Sequence, residues 1–221
     1  MKSKAILAVF ALCLAAASAS AAPASAPLPA SAASPHGAVV FFEGKVKIDG
    51  APAEIGKELG AKTSIETGPG ASCEIVFDGK NAIRVGQNSR AELDFSGIVR
   101  EVKLERGGLT SVLRKLGKVA GSDSFRVRTA TAIAGVRGTS FCVWVEEGAT
   151  YVCACNGEVR TIDAAGSNEL DLKSAHHTGR YYTKKGRTIS VSPAGLEHHS
   201  DADLESLAAL IGETIDWTKL E

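Results

Sequence analysis

The chain has 221 residues, 25 of them basic and 25 acidic, for a formal net charge of +0; 44% of its residues are hydrophobic and only 5% aromatic. Neither sign of charge gathers into blocks that would track a phosphate backbone, and aromatics are too few for a base- or sugar-stacking surface, which excludes nucleic acid as a partner class. From about Gly37 onward the length suits one domain with a small appendage.

Met1, Lys2, Ser3 and Lys4 precede an unbroken apolar run from Ala5 to Ala17, and small residues follow at Ala19-Ser20-Ala21. A positive start, a short apolar stretch and a small-residue cleavage point predict an export signal over 1–21, cut after Ala21. The run is shorter than the roughly 20 apolar residues that cross a bilayer and no later stretch comes close, so no membrane span is expected after cleavage. Cys13 follows Leu12 rather than a small residue, which argues against a lipid anchor. Residues 22–36 are almost entirely Ala, Ser and Pro and predict a disordered tether. The mature chain is thus expected in the periplasm or outside the cell.

Short alternating runs follow: Val39–Phe42, Lys45–Ile48, Cys73–Phe77, Ala82–Val85, Ala91–Phe95 and Val99–Leu104. Turn signals such as Asp49-Gly50, Gly68-Pro69-Gly70, Asp78-Gly79-Lys80-Asn81 and Arg106-Gly107-Gly108 separate them, and the pattern predicts an all-β body. Leu109, Val112, Leu113 and Leu116 stand at helical spacing, so the stretch from Leu109 to Val119 is expected to form a short connecting helix or loop. Strands resume at Phe125–Thr129, Thr139–Glu146 and Thr150–Cys155, the last two forming a hairpin through Glu147-Gly148-Ala149. Near the end, Ser200 precedes Asp201, Asp203 and Glu205, with Leu204, Leu207, Ala208, Leu210 and Ile211 behind them. That order predicts an N-capped amphipathic helix over 200–212, packed on the β body or docked on a partner.

Several stretches together resemble the periplasmic FecR domain, known from regulators of ferric siderophore uptake. They are Glu43–Val46, Ile65–Ser72, Phe77–Gly86 with Ser89, Leu104–Leu109 and, most specific, Phe125–Phe141. The resemblance covers about residues 37–160 and implies an all-β, solenoid-like or twisted-sheet fold with a binding rather than catalytic role. It leaves 161–221 as a C-terminal extension. The regulators resemble one another in carrying a cytoplasmic sigma-factor-holding segment and a membrane span; here an export signal alone is read before the domain, so a free sensor, scaffold or ligand-binding module is expected. Its partner would be an envelope protein or a small ligand. Gly135 and Gly138 flank Arg137 and permit a sharp turn into the strand at Thr139, which gives Arg137 either a turn-bracing or a ligand-binding role.

Beyond the signal the cysteines are Cys73, Cys142, Cys153 and Cys155. Cys153 and Cys155 are two apart on a strand and project from one face, and Cys142 falls at about the facing position of the partner strand. Downstream lie His176-His177 and His198-His199, four of the five histidines. Thiolates and imidazoles are ligands of zinc, iron and iron–sulfur centres, and Cys153, Cys155, Cys142, His176, His177 and His199 form the candidate set, with Asp201 as an outer-shell group. Two other readings stand beside it: disulfides among Cys73, Cys142, Cys153 and Cys155, as exported proteins favour, or a redox-active Cys153/Cys155 pair. No nucleophile, base and oxyanion donor can be placed together, so no enzymatic activity is expected.

Overall fold

A computed structural model describes residues 36–114 and 123–220. The expected export signal and nearly all of the tether lie outside the described residues, as does the segment 115–122. Fifteen strands are described: β1 (Ala38–Glu43), β2 (Val46–Ile48), β3 (Ala51–Pro52), β4 (Lys62–Thr67), β5 (Ser72–Phe77), β6 (Asn81–Val85), β7 (Arg90–Asp94), β8 (Arg100–Leu113), β9 (Phe125–Arg128), β10 (Ala132–Val136), β11 (Ser140–Glu146), β12 (Ala149–Asp163), β13 (Glu169–Ser174), β14 (Thr178–Lys185) and β15 (Thr188–Ala194). The one described helix is α1 (Asp201–Ala209). The all-β reading holds.

Two long strands each serve two sheets. The second half of β8 pairs with β6 and β11, while its first half pairs with β7 and, in parallel, with β9. Likewise β12 pairs first with β11 and β14, then with β10 and β13. The first sheet therefore runs β15-β14-β12-β11-β8-β6-β5-β1, and the second runs β3-β2-β4-β7-β8-β9-β10-β12-β13. Strands that cross between packed sheets bend at bulges and glycines. In β8 the bend falls at Gly107, φ +76°, beside a register shift opposite Arg90 and Ala91; in β12 it falls at Gly157, φ +120°, one turn of pleat after a shift at Ser140/Phe141.

The two sheets enclose one core, built from Ile65, Leu93, Leu104 and Val127 on one side and Ile75, Ile83, Leu109 and Val152 on the other. Phe77, Phe95, Phe125 and Phe141 meet at its centre with ring centroids 5.0–6.2 Å apart. The first sheet is also covered on its outer face, where Ala82, Val112, Cys142, Tyr151, Cys153 and Cys155 lie under Leu204, Leu207, Ala208 and Ile211 of the C-terminal segment. The amphipathic stripe thus packs on the body.

The expected connecting helix is corrected: Leu109–Leu113 is the second half of β8. The stretch Leu109-Thr110-Ser111-Val112-Leu113 is buried on both faces, so no solvent-facing polar alternation marks it as a strand, and its apolar residues also fit helical spacing. Leu109 and Leu113 enter the inner core and Val112 the outer layer, which is strand alternation. Residues 115–119 of that segment lie outside the described residues. Strands β13–β15 were not expected either, and β12 runs past residue 160 to Asp163, so the extension continues both sheets.

Candidate metal centre

Four elements bring the donors together on the outer face of the first sheet. Cys142 of β11 is directly opposite Cys153 of β12, which is in turn opposite Gly179 of β14. Cys155 occupies the register shift, since Ser140 pairs with Asn156 and Phe141 with Ala154. A bulge turns successive side chains toward one face, and here Cys155 joins the outer layer while the buried Asn156 donates to the carbonyls of Ala175, Asp216 and Lys219 at 2.9–3.2 Å. Asn156 thereby ties the last residues of the chain to the strand that carries the cysteines.

The imidazoles arrive from two turns held in left-handed backbone. His177, φ 54°, precedes β14; His198, φ 65°, precedes His199 and the Ser200 cap of α1. Such conformations are costly for a histidine and concentrate at functional sites. Cys153 Sγ lies 3.7 Å from His177 Nδ1, Cys155 Sγ 3.1 Å from His199 Nε2, and the two ring nitrogens are 3.3 Å apart. All four donor atoms fall within 4.8 Å of one another. The far nitrogens are engaged: His177 Nε2 meets Asp201 Oδ1 at 2.7 Å, and His199 Nδ1 meets the Glu197 carbonyl at 2.7 Å.

The electrostatics follow from this packing. The adjacent Cys155 thiol draws Cys153 down to about 3 against its burial, with His177, His199 and Tyr151 adding to the effect. Burial pushes Cys155 well above the ordinary thiol range, and the charge on Cys153 pushes the same way. His199 is pulled down by burial but lifted further by the sulfurs of Cys142 and Cys153, to about 10. For His177 burial is likewise outweighed, by Cys153 and Asp201, and Asp201 is held low chiefly by His177. The metal-free cluster thus favours one thiolate among proton-donating imidazoles, and a metal ion bound there would displace the imidazole protons.

The remaining expected residues separate. His176 contacts Asp201 Oδ2 at 2.9 Å on the exposed rim and stacks against Trp217. Cys142 accepts from Thr110 Oγ1 at 3.9 Å and stands beside the four donors. Cys73 is on β5 in the inner core, and the four cysteines Cys73, Cys142, Cys153 and Cys155 are free and buried. Arg137 is exposed at the turn after β10, with Gly138 at φ +149°, and lines a cleft of about 500 Å³ with Asp123, Glu158, Arg160 and Asp171. Gly135 sits in β10, where an added Cβ would be 2.0 Å from Asp123 Oδ2. Arg84, unremarked in the sequence, clamps α1: it donates to buried Glu74 at 2.6 and 2.8 Å and to Asp203 Oδ1 at 3.1 Å.

Comparison with known proteins bears on the β body. No curated protein is matched. Two crystal structures of a "putative anti-sigma factor" from Parabacteroides distasonis ATCC 8503, at 2.50 and 1.65 Å resolution, are similar at 20% and 18% identity, each with a TM-score of 0.48. The similar region covers 60% and 59% of this chain and the same shares of those chains. Among the described residues, no helix is long and apolar enough to cross a membrane. Residues 63–160, which hold Cys73, Cys142, Cys153 and Cys155 but neither His177 nor His199, match the family described as FecR protein.

Proposed function

We propose that the chain is an exported regulatory or sensory module whose FecR domain is joined to its own C-terminal segment by one tetrahedral metal ion, zinc by the donor set, held by Cys153, Cys155, His177 and His199. The observation that carries this is the orientation of the two imidazoles. Each far nitrogen is occupied by an oxygen, Asp201 Oδ1 for His177 and the Glu197 carbonyl for His199, which leaves His177 Nδ1 and His199 Nε2 facing the sulfurs. Outer-shell oxygens of this kind set the tautomer and aim of metal-bound histidines.

The dimensions support a single ion. Zinc–sulfur bonds of about 2.3 Å and zinc–nitrogen bonds of about 2.0–2.1 Å give tetrahedral edges of about 3.3–3.8 Å. The observed edges are 3.1, 3.7 and 3.3 Å. A Rieske-type [2Fe–2S] centre also takes two cysteines and two histidines, but on different irons. Its sulfurs and nitrogens would stand farther apart than donors gathered within 4.8 Å. Four protein donors form a closed set, which favours a structural or regulatory ion over a catalytic one. An exported chain, a domain of a regulatory family and a closed site between that domain and its extension agree with a binding role rather than catalysis.

The test is elemental analysis and native mass of the chain from Ala22 onward, loaded with zinc and dialysed. One zinc per chain, lost in Cys153→Ser and in His199→Ala, is the expected result. A chain that takes up no zinc, or one whose uptake is indifferent to both substitutions, overturns the assignment.

A further inference from the structure

Cys142 is the sulfur that the four-donor set leaves over. It faces Cys153 directly in the register of β11 and β12, on the same outer layer, buried and free. Directly opposed residues of an antiparallel pair have Cα atoms about 4.5–5.5 Å apart, within the roughly 4.4–6.8 Å at which disulfides form. The other pairings are poorly placed. Cys153 and Cys155 lie two rises of about 3.3 Å apart along one strand with side chains projecting in parallel, whereas a disulfide needs Cβ atoms about 3.5–4.5 Å apart. Cys142 and Cys155 are diagonal neighbours, about 7–8 Å apart, and Cys73 belongs to the inner core.

We propose that a peroxide oxidises Cys142 and Cys153 to a cross-strand disulfide and that closing this bond expels the metal, so that the centre is gated by oxidation. The gating rests on the metal reading above; the disulfide does not. In the first step the Cys153 thiolate attacks one peroxide oxygen, the O–O bond breaks, and hydroxide leaves to be protonated to water. In the second, the Cys142 sulfur attacks the resulting sulfenic acid, the S–S bond forms, the S–O bond breaks, and the departing hydroxide takes up the Cys142 proton. Two thiols and one hydrogen peroxide become one disulfide and two waters. Cys142, directly opposite Cys153 across the strand pair, is placed to resolve the sulfenic acid. The sulfurs themselves are buried, and His176 and Asp201 form the exposed rim of the site. Removing Cys153 from the donor set leaves three ligands and breaks the closed site.

The experiment exposes the zinc-loaded chain from Ala22 onward to hydrogen peroxide, follows zinc with a metallochromic indicator, and maps cysteine linkages by mass under non-reducing conditions. A linked Cys142–Cys153 peptide that grows in step with zinc release, both reversed by a dithiol and added zinc, is expected. Cys142→Ser should bind zinc as the parent does and keep it through the same exposure; Cys142→Ala serves the same comparison without a buried hydroxyl. Zinc retained with both thiols still alkylatable overturns the disulfide and leaves the metal reading standing. A linked peptide in a chain that never took up zinc overturns the metal reading and the gating with it. Zinc lost with no Cys142–Cys153 linkage overturns the gating alone.

Discussion

His177 Nε2 lies 2.7 Å from Asp201 Oδ1, and Asp201 is the first residue of α1, so the carboxylate that aims a candidate ligand also opens the C-terminal helix. An aspartate in the first turn favours the helix by its charge, and the same charge orients the imidazole. Outer-shell partners of this kind are worth about 10–100-fold in metal affinity. Asp201→Ala should weaken zinc binding by that factor in competition with a chromophoric chelator while the far-ultraviolet dichroism of the sheets stays unchanged. Equal affinity in the two chains would detach Asp201 from the site.

Leu204, on the inner side of α1, is completely buried in the layer that contains Cys153 and Cys155. Truncating a buried leucine costs about 2–5 kcal/mol through lost contacts and the cavity left behind. Leu204→Ala should lower the unfolding free energy measured in urea by that amount, with a lower midpoint, and, because His199 and Asp201 flank the cap of the same helix, weaken zinc uptake together with stability. An undiminished midpoint would show that the helix contributes little to the fold.

Gly107 and Gly50 separate the two reasons for glycine. Both have positive φ, +76° and +80°, but an added Cβ at Gly107 would meet Ser89 Oγ at 2.1 Å, whereas at Gly50 nothing lies within 4 Å. The left-handed backbone alone costs an L-residue roughly 1–2 kcal/mol. Gly50→Ala should show that loss, and Gly107→Ala a larger one, read as the fall in Tm by calorimetry. Equal losses would mean that the bend of β8 does not depend on the contact with Ser89.

Cys73 supplies a pH dependence remote from the candidate centre. Burial, with a smaller contribution from Glu74, pushes its thiol up to about 12 from an ordinary 9.0. Above pH 9 the unfolded chain releases this proton while the folded chain keeps it, so stability contributed below pH 9 is lost as pH rises toward 12. The slope approaches about 1.4 kcal/mol per pH unit for one proton. Cys73→Ala should flatten the fall in denaturant stability between pH 9 and 11. An identical slope in the variant would assign it to other groups.

The strands with a polar face were legible because alternation survives where one side meets water: Ala91–Phe95 and Phe125–Thr129 became β7 and β9 nearly residue for residue. Alternation failed for Leu109–Leu113, which is covered on both sides. It was not read in β14 and β15, although Tyr182 is buried and Tyr181 is not, and Gly186 makes the turn between them. In the site, the common face of Cys153 and Cys155 and the opposition of Cys142 follow from strand period and turn length alone. The choice of His177 and His199 over His176 and His198 does not, because adjacent residues in a left-handed turn are assigned inward or outward by the tertiary packing around them. Asn156 escaped notice although an Asn-Gly pair inside a long strand is unusual; its role depends on carbonyls sixty residues away, which no local pattern records.

The spacing of the donors along the chain sets the order in which they become available. Cys153 and Cys155 emerge first, His177 follows, and His199 comes last; Cys155 and His199 are 44 residues apart, with three further strands between them. A metal that requires all four is therefore captured last, after β14 has paired with β12 and the chain has turned back to cap α1. Zinc retained in the proposed site would distinguish chains folded through His199 from those stalled before it.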